Sequence, residues 1–480
     1  MKREISQLPA VISKIQLWLI TLCLLGAVSS TSAQLTLVEE LADDSTDQAG
    51  NPLAFLDNHE ALVISPDGRH LYVAGGELSI VVFSRDMNTG ILTWVEDLVD
   101  MGMDAQGNML NHLGTLESID ISPDGRHIYA GGNNDAVVVF SRNATTGILT
   151  HVEDILEDMM DQMGNVVSRL NKIAEIRVSP DGKHVYVVGD DAGMTVFSRD
   201  ATTGVLTLVE EILDNGMDQS GNSVTVLNEA EGMTLSPDGR HVYVVAKDDE
   251  LGDTSGILVF ARNMGNGVLT LVEEIFDDSL DQAGNPITEL REGENIAVSP
   301  DGRHVYVVGE DDAVLVMRRN ASTGVLTFIE ELVDGGFDRF GTPITGLFDA
   351  EAVRLTADGR FLVAFGNSNA VVLFMRDQTN GQLAFIEAIF NDQTDNEGNN
   401  LSFLEEGESI AISPDGKFIY LVNEGDRGAI TVLYNNAGGV VPSLTEWGVI
   451  ILGLSLIVVG IVAFKQELWE NQSPIESIRR

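Results

Sequence analysis

The sequence predicts an all-β fold, a seven-bladed β-propeller closed by its N-terminal strand. Two observations carry that expectation. The phrase Ser65-Pro66-Asp67-Gly68 returns at Ser122, Ser179, Ser236, Ser299 and Ser413, with a variant at Thr356-Ala357-Asp358-Gly359, and the starts lie 57 residues apart except for one interval of 63. Each unit also holds four short runs rich in β-branched and aromatic residues, with no helical periodicity. Four strands in a repeat of that length describe a propeller blade rather than a helical or leucine-rich repeat.

The first strand of a unit is the apolar run before the phrase, as in Ala61-Leu62-Val63-Ile64, and Pro-Asp-Gly makes a tight turn with glycine where positive φ is needed. The second strand follows at once, His70-Leu71-Tyr72-Val73-Ala74. A polar stretch such as Gly131-Gly132-Asn133-Asn134-Asp135 turns the chain into a third strand, Ala136 to Phe140, and Thr146-Gly147 turns it into a fourth, Ile148 to Glu153. The last unit ends near Tyr434 without a fourth strand, whereas a run of that type, Leu35 to Leu41, stands alone at the front. Pairing the two closes the ring and removes exposed sheet edges, so residues 34–436 are expected to form one domain.

Lys2, Arg3 and Lys14 precede an apolar run from Ile15 to Val28 and the small residues Thr31-Ser32-Ala33, the pattern of a secretory signal peptide at 1–33. The sole cysteine, Cys23, falls within it, so the exported domain uses no disulfides. Residues 437–447 form a linker, the uncharged run Gly448 to Phe464 is long enough for a transmembrane helix, and 465–480 form a cytoplasmic tail. Val441-Pro442-Ser443-Leu444-Thr445-Glu446-Trp447-Gly448, the apolar span and the basic end resemble a bacterial C-terminal sorting signal of the Pro-Thr-Leu…Trp-Gly exosortase-associated type. The expected location is the cell envelope or surface, anchored through the helix or released by sorting cleavage.

The chain carries 28 basic against 74 acidic residues, a formal net charge of −46 at pH 7. That excludes nucleic acid as a partner. The arginines fall mostly at repeated places, among them Arg85, Arg142, Arg199, Arg262, Arg319 and Arg376 at the ends of third strands, where a structural role is expected. The acids form two repeated constellations. In the loops after the fourth strands stand Asp47, Asp104, Asp161, Asp218, Asp281, Asp338 and Asp395, each followed three residues later by glycine. Such a pattern suits a side-chain-stabilised turn, and its oxygens equally suit calcium. The second constellation is Glu60, Glu117, Glu231, Glu294, Glu351 and Glu408, each five residues before a phrase start, with Ala174 and the adjacent Glu175 in the third unit. First strands are innermost in a propeller, so these begin around the central channel, where a bound cation or raised pKa values would relieve their repulsion. Calcium is the cofactor these two sets imply.

Five histidines, His70, His127, His184, His241 and His304, share one place in the second strand and read as packing. Chemistry needs asymmetry, which leaves His59 beside Glu60, His112, and a six-residue insertion around Lys247 to Ser255 as weak catalytic candidates. No nucleophile elbow, Walker loop, zincin motif or paired-cysteine site is present. The repeated Ser-Pro-Asp-Gly-Arg-His-Val-Tyr-Val-Val, Val-Phe-Ser-Arg-Asp and Thr-Gly-Val-Leu-Thr-Leu-Val-Glu resemble the seven-bladed lactonase family, whose named activity is hydrolysis of 6-phosphogluconolactone. The first expectation is an exported binding or interaction module, anchored to membrane and presenting its face to a protein or carbohydrate ligand. The second, implied by the resemblance, is an exported lactonase-type hydrolase acting on a small sugar-derived lactone.

Overall fold

Each Ser-Pro-Asp-Gly phrase folds as a turn that its own side chains lock. Ser65 Oγ donates to Asp67 Oδ1 at 2.6 Å and accepts the His70 amide at 3.0 Å, while Gly68 takes a φ of 70° that a side chain would strain. The strands on either side of that turn become the inner pair of a blade. In the first blade they are His59–Ile64 and His70–Gly75, followed by Ser79–Arg85 and the outer strand Leu92–Val99.

The structure, a computed structural model, describes residues 35–436 apart from 77, 190–192, 249–253, 396 and 425–427. The leader, linker, transmembrane helix and tail expected from the sequence lie outside the described residues. Among the described residues the strands form seven four-stranded antiparallel sheets, and no helix is long and apolar enough to cross a membrane. The seventh sheet is completed by the chain's first strand: Leu35–Ala42 pairs with Ala429–Asn435 on the outside of Gly407–Ile412 and Phe418–Asn423. Two-stranded hairpins such as Met159–Met160 with Val166–Val167 decorate several loops that lead from one blade to the next.

The core lies between blades, where Tyr72, Tyr129, Phe83 and Phe140 are fully buried. Polar staples cross the same seams. Arg142 of blade 2 donates from Nε to Tyr72 Oη at 2.7 Å, from Nη2 to both oxygens of Asp67 at 3.0 Å, and to Nδ1 of His70 at 2.7 Å. Arg199, Arg262, Arg319 and Arg376 repeat the arrangement on the blades that precede them. The five repeated histidines are therefore neutral acceptors in these seams. Gly147 packs so closely on His70 that a Cβ there would stand 2.4 Å from the ring, so the side chain is excluded by the neighbouring blade as well as by a φ of 83°.

Candidate active site

The inner strands are bulged at the same place in every blade. Register shifts between His59 and Ala61, Leu116 and Ser118, Ile173 and Glu175, and at the matching points of the other four. A bulge leaves one residue out of the ladder and re-aims its side chain. Here that residue is the glutamate of the second constellation, or Ala174 in blade 3. In six blades the residue two places before it has positive φ, as in Glu229 at 42° and Glu292 at 48°, a conformation that costs a non-glycine side chain on the order of 1 kcal/mol.

As a result Glu60, Glu117, Glu231, Glu294, Glu351 and Glu408 all line one cavity of about 150 Å³ at the end of the central channel where the inner strands begin. Burial, with neighbouring carboxylates second, pushes Glu60, Glu294 and Glu408 up to about 9 and Glu351 to about 8. Glu60 shares a hydrogen bond with Glu424 from the adjacent loop. Lys247, the first residue of the fourth-unit insertion, brings an ammonium group to two of these glutamates. Its Nζ stands 3.3 Å from Glu231 Oε1 and 4.0 Å from Glu294 Oε1. Despite burial, those two carboxylates hold the ammonium charged.

Deeper in the channel, charge of both signs closes the floor. Arg177 pairs with Glu175, Nη1 to Oε1 at 2.7 Å and Nη2 to Oε2 at 2.9 Å, and Ser118 Oγ donates to the same carboxylate at 2.9 Å. Arg354 and Asp120 stand at the same level of the inner strands. Sequence reading missed these three. The signal was present: their place is Val63, Thr234, Ala297 and Ala411 in the other blades, so a charge there breaks the repeat.

With that geometry in hand, the comparisons with known proteins fall into line. A family model described as Lactonase, 7-bladed beta-propeller, matches residues 28–157. A 6-phosphogluconolactonase from Enterobacter sp. (strain 638) is 24% identical over 315 residues, which span 65% of this chain and 78% of that one. A solved structure from Bacteroides uniformis ATCC 8492, provisionally named a 6-phosphogluconolactonase, superposes with a TM-score of 0.53 at 15% identity, over 74% of this chain and 89% of that one. Another with the same provisional name, from Bacteroides fragilis NCTC 9343, gives 0.51 at 18%, over 75% and 96%. The chain is a seven-bladed propeller, similar to the lactonase propellers.

The other predicted site residues take different places. The loop aspartates are turn locks and blade staples. Asp47 Oδ1 accepts the amides of Ala49 and Asn51, and Oδ2 accepts Asn51 Nδ2 and the Trp94 amide of the next blade. Asp104, Asp161, Asp218, Asp281 and Asp395 make the same four bonds, and Asp338 follows with Phe340, Thr342 and Phe385. Four donors fill the lone pairs of a carboxylate, which gives these loop aspartates a structural role. Among the described residues no group of three or more carboxylate or imidazole side chains stands as a metal site. The raised pKa values of Glu60, Glu294, Glu351 and Glu408 relieve the repulsion within the channel ring.

His59 is corrected. The bulge that sends Glu60 into the channel turns His59 into the blade, where it is 1% exposed with neither ring nitrogen hydrogen-bonded, and burial lowers its pKa to about 4. His112 lies outside the channel cavity, its Nδ1 2.9 Å from Asp154 Oδ2, and His151 holds the other oxygen of that carboxylate at 2.7 Å.

Proposed function

We propose that this protein is a lactonase-type hydrolase for small, neutral sugar-derived lactones, working at the carboxyl-lined mouth of the channel. The observation that carries the reading is Lys247 set between Glu231 and Glu294. Ester hydrolysis needs a base to take a proton from water and an acid to protonate the leaving oxygen, and neighbouring carboxyl groups in opposite protonation states supply both. Glu231, beside the ammonium at 3.3 Å, is the carboxylate; Glu294, raised to about 9, is the acid at neutral pH.

In that reading Glu231 removes a proton as the water oxygen bonds to the lactone carbonyl carbon. Lys247 stabilises the negative charge that develops on the carbonyl oxygen. Glu294 then donates its proton to the ring oxygen as the carbon–oxygen bond breaks, releasing a hydroxy acid. Named activities among the similar proteins support the lactone as substrate class. The formal net charge of −46 argues for a neutral sugar lactone over a phosphorylated one, since a phosphate would approach against like charge. A panel of γ- and δ-lactones, with and without phosphate, incubated with the full-length protein tests this. Turnover of the neutral ones at rates above buffer supports it; absence of all turnover returns the chain to a binding module.

We further propose that the hydrolase works outside the cytoplasm, tethered by the 448–464 segment; the leader pattern and the apolar run support this. Recovery of the full chain in the soluble cell fraction would oppose it.

A further inference from the structure

Below the carboxyl mouth the channel holds a second cavity of about 350 Å³, bounded by such residues as Leu62, Ile64, Val298, Leu355 and Ile412, with Arg177, Arg354 and Asp120 also on its wall. Most of its lining residues are aliphatic, beside a charged level that it shares with the mouth. The three charged groups there are not equally satisfied. Arg177 is doubly bonded to Glu175 at 2.7 and 2.9 Å. Asp120 accepts the amides of Val178 and Ile121 at 2.7 and 2.8 Å.

Arg354 differs from both. Its Nη1 donates to Asn295 Oδ1 at 2.6 Å and to the Val353 carbonyl at 2.9 Å, both neutral acceptors, and among the described residues no carboxylate lies within ion-pair distance of it. Burial, then repulsion from Arg177, lowers its pKa to about 10. A buried guanidinium with no carboxylate in direct contact is incompletely neutralised, and a planar anion that meets its fork supplies the missing charge-assisted partner. The neighbouring Asp120 and Glu175 restrict the anion to a single charge. The apolar walls beyond require that the anion carry a hydrocarbon body, and about 350 Å³ at interior packing density holds a chain on the order of eight carbons.

We propose that Arg354, with Arg177 behind it, and the lower chamber form a binding site for a medium-chain monocarboxylate, its head on the guanidinium and its chain against the apolar wall. The two arginines stand at the level that this chamber shares with the glutamate cavity, and the chamber extends from them away from the ring; the proposal does not rest on the lactonase reading. A polyhydroxylated sugar acid does not fit it, because its hydroxyls would face aliphatic side chains without partners.

Calorimetric titration of the full-length protein with octanoate, 1-octanol and acetate tests the site. Octanoate should bind saturably at least tenfold more tightly than octanol, which has the chain without the charge, and acetate, which has the charge without the chain, should not saturate. Arg354→Met should reduce octanoate binding to the level of octanol. Thr234→Phe fills the chamber but keeps both guanidinium groups; it should abolish octanoate binding and leave lactone turnover unchanged. Should Arg354→Met fail to fold, Thr234→Phe decides alone. Equal binding of octanol and octanoate to the unmodified protein, or octanoate binding that survives Thr234→Phe, would overturn the proposal.

Discussion

The behaviour of a glutamate in this molecule depends on which side of a bulge it occupies. Glu294, aimed into the channel mouth, is raised to about 9, above the ordinary carboxylate value that it regains on unfolding. The folded state thus binds the extra proton between those values, and the stability this group contributes below its ordinary pKa is lost as pH climbs toward 9. Glu294→Gln, which imitates the protonated form, should leave stability near pH 4 almost unchanged and raise it at pH 8 by on the order of 1–3 kcal/mol, measured by urea unfolding at both pH values. An equal effect at the two pH values would mean that Glu294 is ionised in the folded protein. The ring was legible in the sequence because six glutamates keep one distance from the phrase. Its protonation was not, since that depends on how narrowly the strands converge. His59 was misplaced for a related reason: adjacent positions on a strand look alike in sequence until a bulge sends one inward and the other into the blade.

Strands and seams carry most of the stability, and the repeat makes the seams comparable. Five seams share the arginine, histidine, tyrosine and aspartate set, whereas blade 6 has Phe361 and Val363 in the histidine and tyrosine places and blade 7 offers Asn435 in place of arginine. Asn435 Nδ2 donates to the Gly416 carbonyl at 3.4 Å. At the next seam Phe418 replaces histidine and Nη2 of Arg85 is buried without a partner. Arg142→Met should cost about 2–3 kcal/mol, because it strips Tyr72, His70 and Asp67 of a shared donor, with Asp67 partly rescued by solvent. Asn435→Ala should cost less than about 1 kcal/mol. Native-state hydrogen exchange should show the amides of blades 6 and 7 opening first; uniform protection around the ring would contradict this ranking. The arginine and histidine columns were plain in the sequence, and their absence from the last blades was readable there too. What pairing they make across 72 residues was visible only once neighbouring blades were in place.

For the whole molecule, closure and charge act together. Leu35–Ala42 seals the last sheet, and the Leu35 amide donates to Glu387 Oε1 at 2.7 Å across the seam to blade 6. Deleting residues 35–42 should expose that edge and give a protein that aggregates on size-exclusion chromatography instead of eluting as one species. The strand count exposed this closure from sequence alone, since one surplus strand at the front matched one deficit at the end. Proton linkage sums over the molecule in opposite directions. His70, His184 and His304 are lowered to about 4, by burial first and the seam arginine second, so stability is lost as pH falls from their ordinary value toward 4. The channel glutamates lose theirs as pH rises to 9. The glutamate term falls from about pH 4.5 upward and the histidine term rises up to about pH 6.5, so thermal stability should peak between about pH 5 and 6 and fall on both sides.

The chemistry of the mouth is where fold and charge meet, and its pH dependence is the most direct probe. The measurement is the pH profile of kcat/KM for hydrolysis of a neutral δ-lactone, with spontaneous hydrolysis subtracted, for the unmodified protein and for Glu231→Gln, Glu294→Gln and Lys247→Met. The account predicts activity that declines as pH passes about 9, where Glu294 loses its proton, and a loss of 10²–10⁴-fold in each glutamate variant at pH 7. Lys247→Met should lower the rate, since the developing negative charge on the carbonyl oxygen would lose the ammonium that meets it. Turnover that is unchanged in both glutamate variants would contradict the account.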